Sequence, residues 1–270
     1  MRTTALTGME LADALNMATE CAIAAGDLES AGHLADRSGE LPFHREEGHL
    51  ATARPLVVTA LSGDWDRTLA LAERFREGWE RAGRPRTSVL TRAAYAAATV
   101  HGLRGNDGER ASWLDIADDL ASPGCPVSEI HFAQFFDAWL LLHRGLPDQV
   151  VPLMDTAPED LRAWHSGMWR PWYAALWAEA AVLTKHDEAT PRIQRARRAT
   201  VDNPIATAIV ARAAALADGD RDGLLAAAAA LDAGRCRYQW ARTLIMADGG
   251  ERARGDEALA AMGATAMVWP

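Results

Sequence analysis

The densest group of residues that could transfer protons or bind a metal ion lies between His44 and His49, where Glu46 and Glu47 stand beside the two histidines. Imidazole and carboxylate groups serve both kinds of chemistry. No second group of ligands with metal-binding spacing accompanies this segment, which has the features of a helix entrance. We therefore predict no metal site here.

Nucleophilic and cofactor chemistry has little support among the residue types. Cys21, Cys125 and Cys236 are far apart and form no C-x-x-C pair, which predicts neither a disulfide framework nor a zinc site. The only lysine, Lys185, is followed by His186, so a phosphate-binding P-loop is excluded. The sequence also lacks the G-x-S-x-G motif found in hydrolases with a serine nucleophile. We predict no catalytic residue and no cofactor.

Charge patterning argues against nucleic acid and membrane partners. The formal net charge is -9, which disfavours nonspecific binding to phosphate backbones or anionic lipid. The acidic run at Asp115, Asp118 and Asp119 and the basic run from Arg192 to Arg198 are interpreted as solvated helix faces. No apolar run approaches the length of a membrane span, and the first residues lack a signal-peptide core, so we expect a cytoplasmic protein.

The elements that must position any site are helices that occur in pairs. Turn signals, mostly glycine followed by Asp or Asn, recur at positions 26, 63, 105, 145, 186, 219 and 249, with intervals between 30 and 42 residues. Glycine ends a helix in the left-handed conformation, and Asp or Asn caps the next helix. The pattern predicts one all-α domain over residues 1–270. About seven antiparallel pairs would stack as a tetratricopeptide-like right-handed superhelix, with a non-repetitive helical domain as the alternative.

The stretch Ala163–His186 holds four of the ten tryptophans. Its rings recur at helical spacing on more than one face, which predicts a helix in the interior of the array. Pro171 is expected in the first turn of this helix. Pro55, by contrast, falls inside a predicted helix, where proline is costly.

Equivalent positions on the first helices of successive pairs carry a mixture of polar and aromatic residues. In a stacked array these positions face the concave side, where a peptide or small ligand is usually held. The predicted binding residues are Glu46, His49, Thr91, Tyr95, His131, Phe135, Trp169 and Trp172. The alternative is that the histidines are satisfied between helices and that the aromatic residues are core.

Several segments carry a resemblance to a known group of proteins. They are Gly63–Asp66 with the following Leu69–Glu73, Gly167–Tyr173, Tyr238–Leu244 and Ala258–Thr265. Together they resemble the carboxy-terminal tetratricopeptide-like region of actinobacterial LuxR-type or cyclase-linked multidomain ATP-binding regulators. The resemblance implies sensing or scaffolding by a helical repeat. It does not extend to nucleotide binding, because the lysine count excludes the P-loop of that family.

The sequence as a whole predicts a non-enzymatic binding module with a regulatory role. Its concave groove would hold a small effector or a partner peptide. Two alternatives stay open: an enzyme on the same scaffold, with His49 or His131 as acid or base beside Glu46, and a protein that associates with itself, for example as a homodimer.

Overall fold

A computed structural model describes residues 7–121, 127–161 and 164–269, except for the side chains of residue 43, residues 127–131 and residues 164–167. Over these residues it contains helices and turns but no strands. The α-helices, in chain order, are α1 (Gly8–Ala24), α2 (Leu28–Gly39), α3 (Pro42–Glu46), α4 (His49–Ser62), α5 (Trp65–Arg81), α6 (Thr91–Leu103), α7 (Asp107–Leu120), α8 (Val127–His143), α9 (Pro147–Leu153), α10 (Trp164–Leu183), α11 (Ala189–Ala199), α12 (Pro204–Asp218), α13 (Arg221–Ala233), α14 (Arg237–Ala247) and α15 (Gly250–Ala261).

The helices end and begin where the turn residues predict. Positive φ angles, which glycine adopts without a Cβ clash, occur at six of the seven predicted turn positions: Gly26, Gly63, Gly105, Gly145, Gly219 and Gly249. At the remaining turn the residue with positive φ is Lys185, one position before the predicted His186. Side chains at several N-caps accept from the backbone three residues later, as Asp220 does from Gly223.

The all-α class and the arrangement in neighbouring helix pairs are confirmed. Seven pairs run through the described residues, α1–α2, α4–α5, α6–α7, α8–α9, α10–α11, α12–α13 and α14–α15, with the short α3 as an additional helix. The first helices also contact one another in sequence from α4 through α6, α8 and α10 to α12. These contacts form an inner layer of helices, with the second helices outside it.

Helix α10 lies in the interior, as the tryptophan-rich stretch predicts. It contacts α8, α9, α11, α12 and also α1, and Trp172, Tyr173 and Trp177 are buried. The prediction for Pro171 was wrong: α10 begins at Trp164, and the proline lies inside it. Burial of Trp169 and Trp172 on either side of the proline accounts for this, since tertiary packing can outweigh the loss of one helical hydrogen bond.

Units that are distant in sequence also meet. The indole Nε1 of Trp172 donates to the carbonyl of Ile23 at 2.9 Å, and the Asn203 amide donates to the carbonyl of Ala24 at 2.8 Å. On another side, the ring of Trp65 lies 5.4 Å from that of Tyr238. A stack with contacts only between adjacent repeats would make none of these contacts. The array therefore closes on itself: α1 packs on α10, and α14 packs on α4.

The segment that follows α15 covers the ends of two inner helices. The backbone N–H of Thr265 donates to the carbonyl of Leu103 at 2.8 Å, and that of Val268 donates to the carbonyl of His143 at 3.0 Å. The last carbonyls of a helix have no partner within the helix. Residues 264–269 supply those partners at α6 and α8. None of the described helices has the length and apolar character needed to cross a bilayer.

Candidate functional site

The residues of the predicted concave stripe are mostly inside the protein. His49, Thr91, Phe135, Trp169 and Trp172 are buried, Tyr95 is half-buried, and Glu46 is exposed. The side chain of His131 lies outside the described residues. Five of the eight thus have too little exposed surface to line an open groove in this conformation.

The buried members of the stripe pack in two separate places. His49 makes an edge contact with Phe75 of α5, with ring centroids 6.1 Å apart. Phe135, Trp169 and Trp172 belong to an aromatic cluster between α8 and α10, in which Phe135 lies 5.7 Å from Trp169 and 6.1 Å from Trp172. The alternative interpretation of these aromatic residues, as core, is the one that fits. These aromatic side chains therefore face neighbouring helices and not an open groove.

The acid–base pair of the enzymatic alternative is not assembled at His49. Glu46 is exposed on α3, whereas His49 is buried against α5. Burial lowers the pKa of His49, although the nearby charge of Glu47 acts in the opposite direction. Neither His49 nor Glu46 lines any of the five clefts that we describe.

The closed interior contains three charged side chains with no solvent exposure, Glu179 of α10, Arg212 of α12 and Arg242 of α14. Arg212 holds the carboxylate through Nε and Nη2 and donates from Nη1 to Thr243 Oγ1 at 2.9 Å. Arg242 approaches Glu179 Oε1 to 2.5 Å, but its Nε and Nη1 have no hydrogen-bond partner. Burial alone would raise the pKa of Glu179, but the two guanidinium charges outweigh it, and the pKa is lowered.

A second polar chain connects the inner helices to the C-terminal segment. His143 Nδ1 lies 3.1 Å from the hydroxyl of Tyr238, and Nε2 lies 3.1 Å from Thr265 Oγ1. Burial, with added repulsion from Arg242, lowers the pKa of His143 to about 4, so this histidine is neutral near pH 7. Both interior groups therefore join helices of different pairs.

Three clefts lie outside this interior, and one of them is on the surface where the closing units meet. A cleft of about 420 Å³ lies between the α4–α5 turn and the last two helices, with Trp65, Trp240 and Met262 among its walls. It shares Ser62, Asp64 and Arg235 with a second cleft of about 210 Å³. That cleft shares Asp36, Pro55 and Arg67 with a third, of about 470 Å³, between α2 and α5. We call these three adjoining clefts the seam groove.

The seam groove is lined by charges of both signs. Two ion pairs cross it: Arg67 to Asp36 at 2.7 Å and Arg235 to Glu29 at 3.2 Å. All four side chains of these pairs are about half-exposed or more, so the pairs contribute little stability and exchange readily. Arg237 in the first cleft and Arg74 in the third are exposed, and neither has an ion-pair partner among the described residues. The groove therefore offers a free guanidinium at each end.

Sequence reasoning missed the seam groove because its walls come from distant parts of the chain. Residues 62–66 form a predicted turn, whereas Arg235, Arg237 and Trp240 belong to the last pairs. Period and spacing place residues on one helix face but do not show that the second and seventh pairs touch. The resemblance residues Tyr238–Leu244 were the available signal, since they single out this part of the chain.

One group of side chains in the described part of the chain lies close enough together to hold a metal ion. It consists of Glu73, His101 and Glu109, on α5, α6 and α7. The sequence analysis predicted none of the three as a metal ligand.

Comparison with known proteins identifies no family for this chain. No family model matches it, and a search of curated proteins finds no significant match. The resemblance to the repeat region of LuxR-type regulators accordingly stays a prediction.

Proposed function

We propose that this protein is a non-enzymatic binding module that holds an extended, mixed-charge segment of a partner polypeptide in the seam groove. In this proposal the helix pairs form a tetratricopeptide-like right-handed superhelix, curved tightly enough for its ends to meet. Binding would serve regulation, as the sequence resemblance implies. The predicted function is retained, but the binding surface moves from the inner stripe to the outer seam.

The observation that carries the proposal is that the three clefts adjoin one another through shared wall residues. Together they run from Met262 past Arg235 and Arg67 to Arg74, whereas a compact small molecule needs only one cleft of roughly 300 Å³ or more. Trp240 offers a half-buried ring as an apolar contact within the groove. Charged side chains along the walls can align a chain that carries both Asp or Glu and Lys or Arg.

Binding in the seam groove would also stabilise the closed array. The walls belong to the first, second and last pairs, so a bound segment contacts units on both sides of the junction. A ligand that binds only the folded, closed form raises the free energy of unfolding by mass action. A rise in melting temperature with peptide concentration is therefore an expected readout.

The test selects linear peptides from a random display library on the full-length protein and measures their affinity by fluorescence anisotropy. Charge reversal at either end of the groove, Arg237→Glu or Arg74→Glu, should weaken binding by about tenfold or more. The matched control is Arg197→Glu, which makes the same charge change at an exposed position of α11 outside the groove.

Three outcomes are informative. Loss of affinity in both groove variants, with the control unchanged, supports an extended ligand. Loss in only one of them indicates a compact ligand in a single cleft and contradicts the extended mode. Equal affinity in all variants, or failure to select any peptide, contradicts the seam groove as the binding surface.

A further inference from the structure

A cluster of metal-binding side-chain types lies in the second and third helix pairs, and none of its members lines the seam groove. Glu73 on α5, His101 on α6 and Glu109 on α7 each present one ligand atom, and the three atoms lie within 4.8 Å of one another. In a tetrahedral site with bonds of roughly 2.0–2.2 Å, two ligand atoms are separated by about 3.3–3.6 Å. The atoms of the cluster must therefore approach one another by about 1 Å or slightly more, which rotation of the glutamate side chains can provide.

His101 is the member of the cluster that points to a missing partner. Its side chain is only 7% exposed, and neither Nδ1 nor Nε2 has a hydrogen-bond partner. Buried polar atoms in folded proteins nearly always have one, so an orphaned pair of ring nitrogens needs an explanation. An ion held between His101 and the two carboxylates would satisfy one of these nitrogens.

The charges around the cluster leave a place for a cation. Arg76 is the nearest cation, with its guanidinium 2.9 Å from Glu109 and 3.7 Å from Glu73. It is also stacked on the ring of Trp113, at 4.7 Å from the ring centroid. The positive charge of Arg104 also interacts with His101, but Arg104 is itself paired with Asp66 at 2.6 Å. One arginine facing two carboxylates leaves a net negative charge at the cluster.

We propose that Glu73, His101 and Glu109 form a binding site for a divalent first-row transition-metal ion such as Zn²⁺. Nitrogen from imidazole favours these ions over Mg²⁺ and Ca²⁺, which prefer oxygen ligands alone. Glu73 and Glu109 are about half-exposed, so water or an external ligand can complete the coordination. The bound ion links three helices of two adjacent pairs.

Arg76 competes with the ion for the same carboxylates. Metal binding requires Glu109 to exchange its hydrogen bond with Arg76 for a bond to the ion, while the guanidinium can keep its contact with Trp113. Removing the competing charge with Arg76→Met should therefore tighten metal binding. An ordinary surface ion-pair cluster would show no such gain.

The experiment titrates the full-length protein, without an affinity tag and treated with chelator, with Co²⁺ followed by absorption and with Zn²⁺ followed by calorimetry. We expect one ion per chain. His101→Gln and Glu109→Gln should each weaken binding by about tenfold or more, and Arg76→Met should strengthen it. Far-UV circular dichroism establishes that each variant is folded.

His49→Gln is the matched control, because His49 is equally buried and its Nδ1 also lacks a hydrogen-bond partner, yet it is not part of the cluster. This variant should bind the ion as the wild type does. Failure of the wild type to bind either ion overturns the proposal. So does binding that His101→Gln and Glu109→Gln leave unchanged, which would indicate a site elsewhere.

Discussion

At the scale of single residues, the clearest feature is a group of buried charges in which two arginines outnumber their carboxylate. Arg212 and Arg242 share one carboxylate, that of Glu179, and all three side chains are completely buried. Two positive charges with one negative charge leave an excess positive charge in the interior. The three residues therefore differ in how well their charges are paired. Substitutions of them should differ in how much they lower the free energy of unfolding.

We predict that Glu179→Gln destabilises the protein by about 3–5 kcal/mol, because it leaves two buried arginines without a counter-charge. Arg212→Met should cost less, since one neutral pair remains, and Arg242→Met should cost least. The reason is that Arg212 also bonds Thr243, whereas Nε and Nη1 of Arg242 already lack partners. Urea unfolding of the three variants measures the order. A larger loss in Arg242→Met than in Glu179→Gln would contradict this account.

Residue types alone could not reveal these interactions. Glu179, Arg212 and Arg242 are spread over more than sixty positions of the printed sequence, and each lies within a helix in which most residues are apolar. Likewise, His49 and Trp172 were correctly placed on the first helices of their pairs. Their burial follows from how the helices meet, which spacing along one helix does not give.

At the scale of the helices and turns, the sequence was most informative. Glycine turns predicted the pairs because the left-handed conformation at a helix end is a local property of the chain. Proline was less reliable: Pro55 lies inside α4 as predicted, but Pro171 lies inside α10 and not in its first turn. Packing on several sides maintains these helices, and sequence position alone does not show that packing.

The glycine turns differ in what surrounds them, which gives a prediction for this scale. Gly145 and Gly219 have similar φ angles, +69° and +66°, so alanine at either position pays the same backbone cost of roughly 1–2 kcal/mol. A Cβ at Gly145 would lie 2.7 Å from Val268 Cγ1, whereas one at Gly219 would meet nothing within 4 Å. Gly145→Ala should therefore lose about 1 kcal/mol or more beyond Gly219→Ala.

Chemical denaturation of the two alanine variants measures this difference directly. Equal losses in the free energy of unfolding would mean that the segment after α15 moves away from the new Cβ without a measurable loss of stability. In that case its hydrogen bonds to α6 and α8 contribute little to stability.

For the molecule as a whole, the decisive feature is the contact between units that are distant in sequence. Asn203 illustrates it, because one buried side chain does two things. Its Oδ1 accepts from the backbone of Ala206 at the start of α12, and its Nδ2 donates to the carbonyl of Ala24. The first function is an ordinary helix cap, and the second joins the first pair to the sixth.

We predict that Asn203→Ala lowers the free energy of unfolding by about 2–3 kcal/mol, the sum of a lost cap and a buried carbonyl left without its donor. Asp220→Ala is the matched control, because Asp220 caps α13 but is exposed and makes no second bond in the described structure. It should cost about 1 kcal/mol. Thermal and urea unfolding provide both values, and equal losses would indicate that the bond to Ala24 is not needed for stability.

Closure of the array was not predictable from repeat spacing. The intervals between turns indicate how many pairs there are, but the angle between successive pairs depends on the side chains at each interface. The prediction of an inner binding wall depended on that angle, and the seam groove arises from it. Fold class and pairing could thus be derived locally, whereas the proposed binding surface could not.

The bond between Asn203 and Ala24 also limits how such a protein can change over evolution. An open solenoid tolerates duplication or deletion of a hairpin, since each new unit meets only its neighbours. Here an extra hairpin between Ala24 and Asn203 would move the two residues apart and disrupt a contact that closes the array. Homologous chains that keep this asparagine contact are therefore expected to keep the number of hairpins fixed and to vary in their loops instead.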